Sequence, residues 1–93
     1  MPFKLKYHPD VKSKDLAAID ERNKAIIKRA IEERLREKPE KYGKPLRHTF
    51  KGYWKLRVGD YRIVFKKADN VIRIYAILHR KEVYAIVNKR ISI

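Results

Sequence analysis

The sequence predicts an α+β fold: an N-terminal strand, a helical hairpin, an antiparallel three-stranded meander completing a four-stranded sheet, and a short C-terminal helix. Three observations predict it. Ninety-three residues suffice for one modest hydrophobic core, so residues 1–93 read as one domain. The first half carries apolar residues at the three-and-four spacing of an amphipathic helix. The second half breaks into short β-prone segments separated by turn signals, and connections so short allow only antiparallel neighbours.

The opening Phe3, Leu5 and Tyr7 alternate with Lys4 and Lys6, which is the period of a half-buried strand. His8-Pro9-Asp10 ends it, and Asp10 is placed to cap the next helix. Val11, Leu16, Ile19, Ile26, Ile27, Ala30, Ile31 and Leu35 then form one core-facing stripe. Asp20 to Asn23 divide it into two helices, and Pro39 is expected to stop the second. The polar run 37–44 reads as a loop. Strands are expected near 52–58, 61–67 and 71–78, joined at Gly59-Asp60 and Asp69-Asn70, with the helices on one face of the sheet. A short helix over Val83 to Arg90 closes the chain.

Charge carries the strongest compositional message. The net formal charge is +14, and it is uneven: residues 1–43 hold 12 Lys/Arg against 8 Asp/Glu, whereas 44–93 hold 13 against 3. The first half is a solvated mixed-charge surface. The second has a cationic excess suited to a polyanion or an acidic protein, with nucleic acid the leading partner. Cysteine is absent, which excludes disulfides and thiolate metal sites and suits a reducing cytoplasm. No His pair stands at ligand spacing, so neither a metal nor a cofactor is expected. No apolar run approaches membrane-spanning length, and the N-terminus lacks a secretory signal. A soluble, cytoplasmic protein is expected.

Four segments narrow the reading. Pro45-Leu46-Arg47, Tyr53-Trp54-Lys55-Leu56-Arg57, Gly59-Asp60-Tyr61-Arg62-Ile63-Val64-Phe65 and His79-Arg80-Lys81-Glu82-Val83-Tyr84 resemble, in order and spacing, consecutive signatures of the RelE/ParE toxin superfamily. Resemblance to its RelE branch implies a type II toxin, ribosome-dependent cleavage of mRNA in the A site, and inhibition by a cognate antitoxin. By position, Lys55, Arg57 and Arg62 match basic active-site residues on adjacent strands, Arg80 the arginine near the sheet end, and Tyr84 the tyrosine near the C-terminus. Tyr53 stands where the best-known enzyme of the branch has a further lysine, and the stretch from Arg80 to Tyr84 is shorter than in that enzyme.

Chemistry fits these residue types. Cutting RNA through its own 2′-hydroxyl needs a base, stabilisation of extra phosphoryl charge, and a proton for the departing 5′-oxygen. Crowded Arg and Lys side chains supply the charge stabilisation. Lys55 is the candidate base, Arg62 the phosphate grip, and Tyr84 a stacking group or proton donor. His79 is the candidate substitute for a missing catalytic group, since histidine titrates in the useful range. Arg47, Lys51, Tyr53 and Lys81 are expected to touch RNA. Each has a plainer role: Arg62 and Arg80 as edge charges or ion pairs, Tyr84 as a packing anchor, His79 as a hydrogen-bonded sheet-end residue. Trp54, Tyr61 and Phe65 read as core residues first, and the Lys24, Lys28 and Lys38 side as solvated helix.

Two other functions stay open: a gyrase-directed inhibitor of ParE type, and a non-catalytic RNA-binding relative. An acidic, partly disordered antitoxin is expected to wrap the cationic cluster and displace the tail bearing Tyr84, on the view that a short terminal helix has few apolar anchors.

Overall fold

The computed structural model describes residues 3–46 and 52–91. Strand β1 (Lys4–Tyr7) is followed by a wide helical turn, Val11–Asp15, and a 3₁₀ turn, Leu16–Ala18. Helix α1 (Glu21–Ala30) runs on through a second wide turn, Ile31–Leu35, and a short helix α2 spans Pro39–Tyr42. Strands β2 (Lys44–Pro45), β3 (Trp54–Val58), β4 (Tyr61–Ala68) and β5 (Val71–His79) come next, and α3 (Val83–Ile91) ends the chain.

Among the described residues the sheet has five strands in the order β1-β5-β4-β3-β2. The meander β3-β4-β5 is antiparallel, as its two-residue turns require, while β1 lies parallel to β5. Gly59 and Asp69 begin those turns at φ +58° and +54°, a left-handed conformation that Gly adopts freely and Asp tolerates. The fifth strand, β2, comes from the end of the segment read as a loop. Pro39 likewise opens α2 as well as closing the preceding helix, because its fixed φ is prearranged for a first helical position. Gly43 follows α2 where a Cβ would meet Phe65 Cζ at 2.6 Å and the Pro39 carbonyl at 2.9 Å, so the chain passes close over the core.

Two apolar layers flank the sheet. On one side Val11, Ile19, Ile27, Ala30, Ile31 and Leu35 pack on Leu56, Ile63, Phe65, Ile72, Ile74 and Ile77. On the other, Val83 and Val87 of α3 pack with Leu46 on Val64, Ala76 and Leu78. Helices therefore cover both faces rather than one. Trp54 stacks on Phe65 with ring centroids 6.4 Å apart, and Trp54 and Tyr61 border the first layer, the core role read for them. Ile26 is 47% exposed: adjacent helical residues diverge by about 100°, and Ile27 takes the inward place.

Asp20 caps α1, accepting from the Asn23 backbone N–H at 3.4 Å and the Asn23 amide at 2.6 Å. Asp10 makes no side-chain cap. It lies instead 3.5 Å from Arg90 Nε and 4.0 Å from Lys14 Nζ, where a carboxylate meets two cations.

The register between β4 and β5 slips at Val64/Phe65, pairing Val64 with Ala76 and Phe65 with Ile74. Tyr75 is the extra residue of a bulge. Beyond Tyr7 the edge of β5 has no strand beside it among the described residues, and two side chains close it. Asp15, 4% exposed, accepts from Ile77 N–H at 2.9 Å; Arg90 donates to the Tyr75 carbonyl at 2.9 Å. The two also form a bidentate pair at 2.7 and 2.8 Å. The tail is thus well anchored, by Val83, Val87 and a buried ion pair, contrary to the expectation of few anchors.

Candidate functional site

Alternation along β3 sorts its side chains. Trp54, Leu56 and Val58 border or join the first core, and Tyr53 packs with the second, so Lys55 and Arg57 share the α3 side of the sheet with it. In register, Lys55 faces Val64 and Arg57 faces Arg62, which puts Arg62 on that side too. Because Val83 and Val87 are the buried face of α3, Tyr84 lies on its exposed flank, 50% accessible. There the Lys55 ammonium donates to the Tyr84 hydroxyl at 3.1 Å, with the nitrogen 5.8 Å from the ring centre. A single hydrogen bond thus joins side chains 29 residues apart in sequence.

Three arginines surround the turn between β3 and β4. Arg62 Nη1 donates at 3.0 Å to the carbonyls of both Gly59 and Tyr61, which pins the guanidinium while Nε and Nη2 make no hydrogen bond among the described residues. Arg80 Nε lies 3.9 Å from Asp60 Oδ1, and the Arg80 backbone N–H donates to the Asp60 carbonyl at 2.8 Å. Asp60 is the one carboxylate paired with this group among the described residues. The arrangement is a field of cations on a sheet, which attracts negative charge.

Arg62→Ala is expected to cost the fold only about 1 kcal/mol, since its bonds go to a solvent-facing turn. A thermal melt of the purified variant checks this, and a shift above roughly 10 °C would contradict it.

His79 stands apart from this group. It pairs in register with Tyr61, and the two rings meet edge to face at 5.9 Å on the side of the first core. There it lines a cleft of about 710 Å³ with His8, Asp15, Tyr61 and Arg90, and its Nδ1 accepts from the Lys81 backbone N–H at 3.3 Å. Tyr53 sits over the second core, edge to face with Tyr75 at 5.1 Å, with Lys66 Nζ 5.1 Å from its ring centre. Burial, reinforced by Tyr75, pushes its phenol up, so it is a neutral hydroxyl at physiological pH. Lys81 is exposed just before α3. Arg47 and Lys51 lie outside the described residues.

Sequence reasoning missed Asp15 and Arg90, which hold α3 and with it Tyr84. They are 75 residues apart, and neither stands in a motif that would have signalled the pairing. Among the described residues no group of three His, Cys, Asp or Glu is placed to hold a metal, and no helix is long and apolar enough to cross a membrane.

Known proteins share this architecture. The family model of the ParE toxin of the type II toxin-antitoxin system, parDE, matches residues 5–84. The toxin-antitoxin complex RelBE2 of Mycobacterium tuberculosis contains a chain similar to this one, with 26% identity and a TM-score of 0.80 over 86% of this chain and 93% of that one. The RelB-RelE antitoxin-toxin complex of Methanococcus jannaschii matches with 24% identity and a TM-score of 0.57, covering 87% and 96%. The DinJ-YafQ toxin-antitoxin complex of E. coli matches with 18% identity and a TM-score of 0.58, covering 90% and 99%. Among curated protein sequences none matches.

Proposed function

Since the chain belongs to the ParE toxin family of type II toxin-antitoxin systems, within the RelE/ParE superfamily, we propose that it is a metal-independent endoribonuclease cutting mRNA in the ribosomal A site. The observation that carries this reading is the Lys55–Tyr84 pair at 3.1 Å, set on the same sheet face as Arg57 and Arg62. In the reaction the Lys55 amine takes the proton of a 2′-hydroxyl. The 2′-oxygen attacks the adjacent phosphorus, and the bond from phosphorus to the 5′-oxygen breaks. Tyr84 delivers a proton to that leaving oxygen and is reprotonated from the Lys55 ammonium beside it. Arg62, pinned by the turn, holds a phosphoryl oxygen through its remaining donors; Arg57 and Arg80 add positive potential where charge develops. His79 faces the opposite side and enters no step. A protein acting on translating ribosomes works in the cytoplasm.

By likeness to the chain in the RelBE2 complex, a cognate antitoxin is the natural inhibitor, and an acidic one complements the cationic face. With α3 anchored by Arg90 and Asp15, charge neutralisation over Lys55 is the simpler route to inhibition than displacing the tail.

The test is primer extension on mRNA from cells or extracts making the toxin. New 5′ ends at A-site codons, lost in Lys55→Ala, are the expected result. The match to the ParE toxin model favours a second reading, in which the chain is a gyrase-directed inhibitor without nuclease activity. Unbroken mRNA together with blocked supercoiling by purified gyrase would establish it, and unbroken mRNA with active gyrase would leave an RNA-binding relative.

A further inference from the structure

Beyond the part of the sheet that α3 covers, the same face carries a row of three cations. Lys6 alternates with Leu5 and Tyr7, Arg73 lies between Ile72 and Ile74, and Lys66 follows Phe65; those neighbours all border or join the first core. Lys6, Arg73 and Lys66 therefore point to the opposite side, where all three are exposed. The register sets them directly across from one another: Lys6 faces Arg73 on the parallel pair, and Lys66 faces Arg73 on the antiparallel pair.

Like charges directly opposite on adjacent strands repel. Among the described residues none of the three pairs with a carboxylate, although Lys67, the neighbour of Lys66 on the other face, pairs with Glu40. The row spans two interstrand spacings, about 10 Å. At its β4 end the Lys66 ammonium lies 5.1 Å from the centre of the Tyr53 ring, and Tyr53 meets Tyr75 edge to face. Tyr53 precedes Lys55 by two residues on the same face.

We propose that Lys6, Arg73 and Lys66, with Tyr53 beside them, form a second backbone-binding track for single-stranded RNA that leads to the Lys55–Tyr84 pair. Cations in a row match phosphates, and adjoining aromatic rings match unstacked bases, a combination suited to single strands rather than duplex. An acidic peptide fits the row less well, because a peptide anchor needs an apolar pocket and none of the clefts described among these residues is lined by Lys6, Lys66 or Arg73. The track rests on the reading that RNA is the substrate and extends it by naming where the flanking strand runs.

The test uses a 12-nucleotide oligouridylate with 2′-O-methyl sugars, which cannot be cut through its 2′-oxygen and so reports binding alone. Its Kd is measured against salt for the full chain, for a Lys6→Ala/Lys66→Ala/Arg73→Ala triple variant, and for a Lys24→Ala/Lys28→Ala/Arg29→Ala triple on the helical face. The first triple is expected to lower the log–log slope by about 2, at roughly 0.7 per lost phosphate contact, and to melt no lower than wild type because mutual repulsion has been removed. The helical triple should keep the wild-type slope.

Equal losses in both triples would mean a diffuse field and overturn the track, as would an unchanged slope in the first. Unchanged RNA binding with lost affinity for polyglutamate would overturn it in favour of a protein partner. Primer extension is run in parallel. A lowered slope in a protein that leaves mRNA uncut keeps the track and removes the nuclease reading, whereas cleavage with an unchanged slope removes the track alone.

Discussion

Asp15→Ala is expected to destabilise the domain by about 3–5 kcal/mol, the usual cost of leaving one partner of a buried ion pair alone. The carboxylate, 4% exposed, accepts from Arg90 Nη1 and Nη2 and from the Ile77 backbone N–H. Its removal strands a guanidinium whose side chain is 7% exposed, along with a donor on the open edge of β5. In the native protein the bond to Asp15 holds Arg90 even more firmly protonated, against the opposing effect of burial; in the variant that bond is gone, but a guanidinium keeps its proton in proteins, so the cation does not escape by becoming neutral. Against a total stability of about 5–15 kcal/mol, the loss is severe.

Urea denaturation should show it as a lower midpoint with little change in slope. An Asp15→Leu/Arg90→Met double variant should recover part of the loss, because apolar replacement removes the stranded charge. It should not recover all, since the Ile77 N–H and Tyr75 carbonyl stay without those partners. A single-variant loss below about 1 kcal/mol would show that the clamp does not hold α3 to the sheet.

Lys55→Ala is expected to have the largest effect on activity, a fall of about 10²–10⁴ in the single-turnover rate of cleavage on programmed ribosomes, the usual range for a lost general base. Its ammonium bonds the exposed Tyr84 hydroxyl, so the melting temperature should scarcely move. Tyr84→Phe keeps the ring and removes the hydroxyl, and its defect tests proton donation apart from stacking. Because the two groups share one hydrogen bond, the double variant should be no slower than the worse single one by more than a few fold. A Lys55→Ala rate within about threefold of wild type would remove Lys55 from the chemistry. Fully multiplicative defects would mean that the pair at 3.1 Å does not act as a unit.

Much of this molecule is written in local pattern. The period of two along residues 53–58 assigns Tyr53, Lys55 and Arg57 to one face without any knowledge of what lies above it. Gly59-Asp60 and Asp69-Asn70 mark both hairpin turns, and Asp20 marks the start of α1, because turns and caps depend on a few adjacent residues. The same sequence also held an unused signal: Ile63-Val64-Phe65 and Ala76-Ile77-Leu78 are apolar at consecutive positions, as strands buried on both faces are, and so anticipate a helix on each side.

Tertiary packing decided the rest. Which side His79 faces depends on a bulge at Tyr75, and a one-residue slip in register reverses every side chain beyond it. The parallel seat of β1 leaves the edge of β5 open, and that opening gives Asp15 and Arg90 their partners. Whether Tyr84 reaches Lys55 depends on where the clamped α3 lies on the sheet. Local periodicity encodes the face a residue occupies, since that needs only its neighbours along the chain. It does not encode which distant residues meet there, because those meetings are set by the joint packing of both cores.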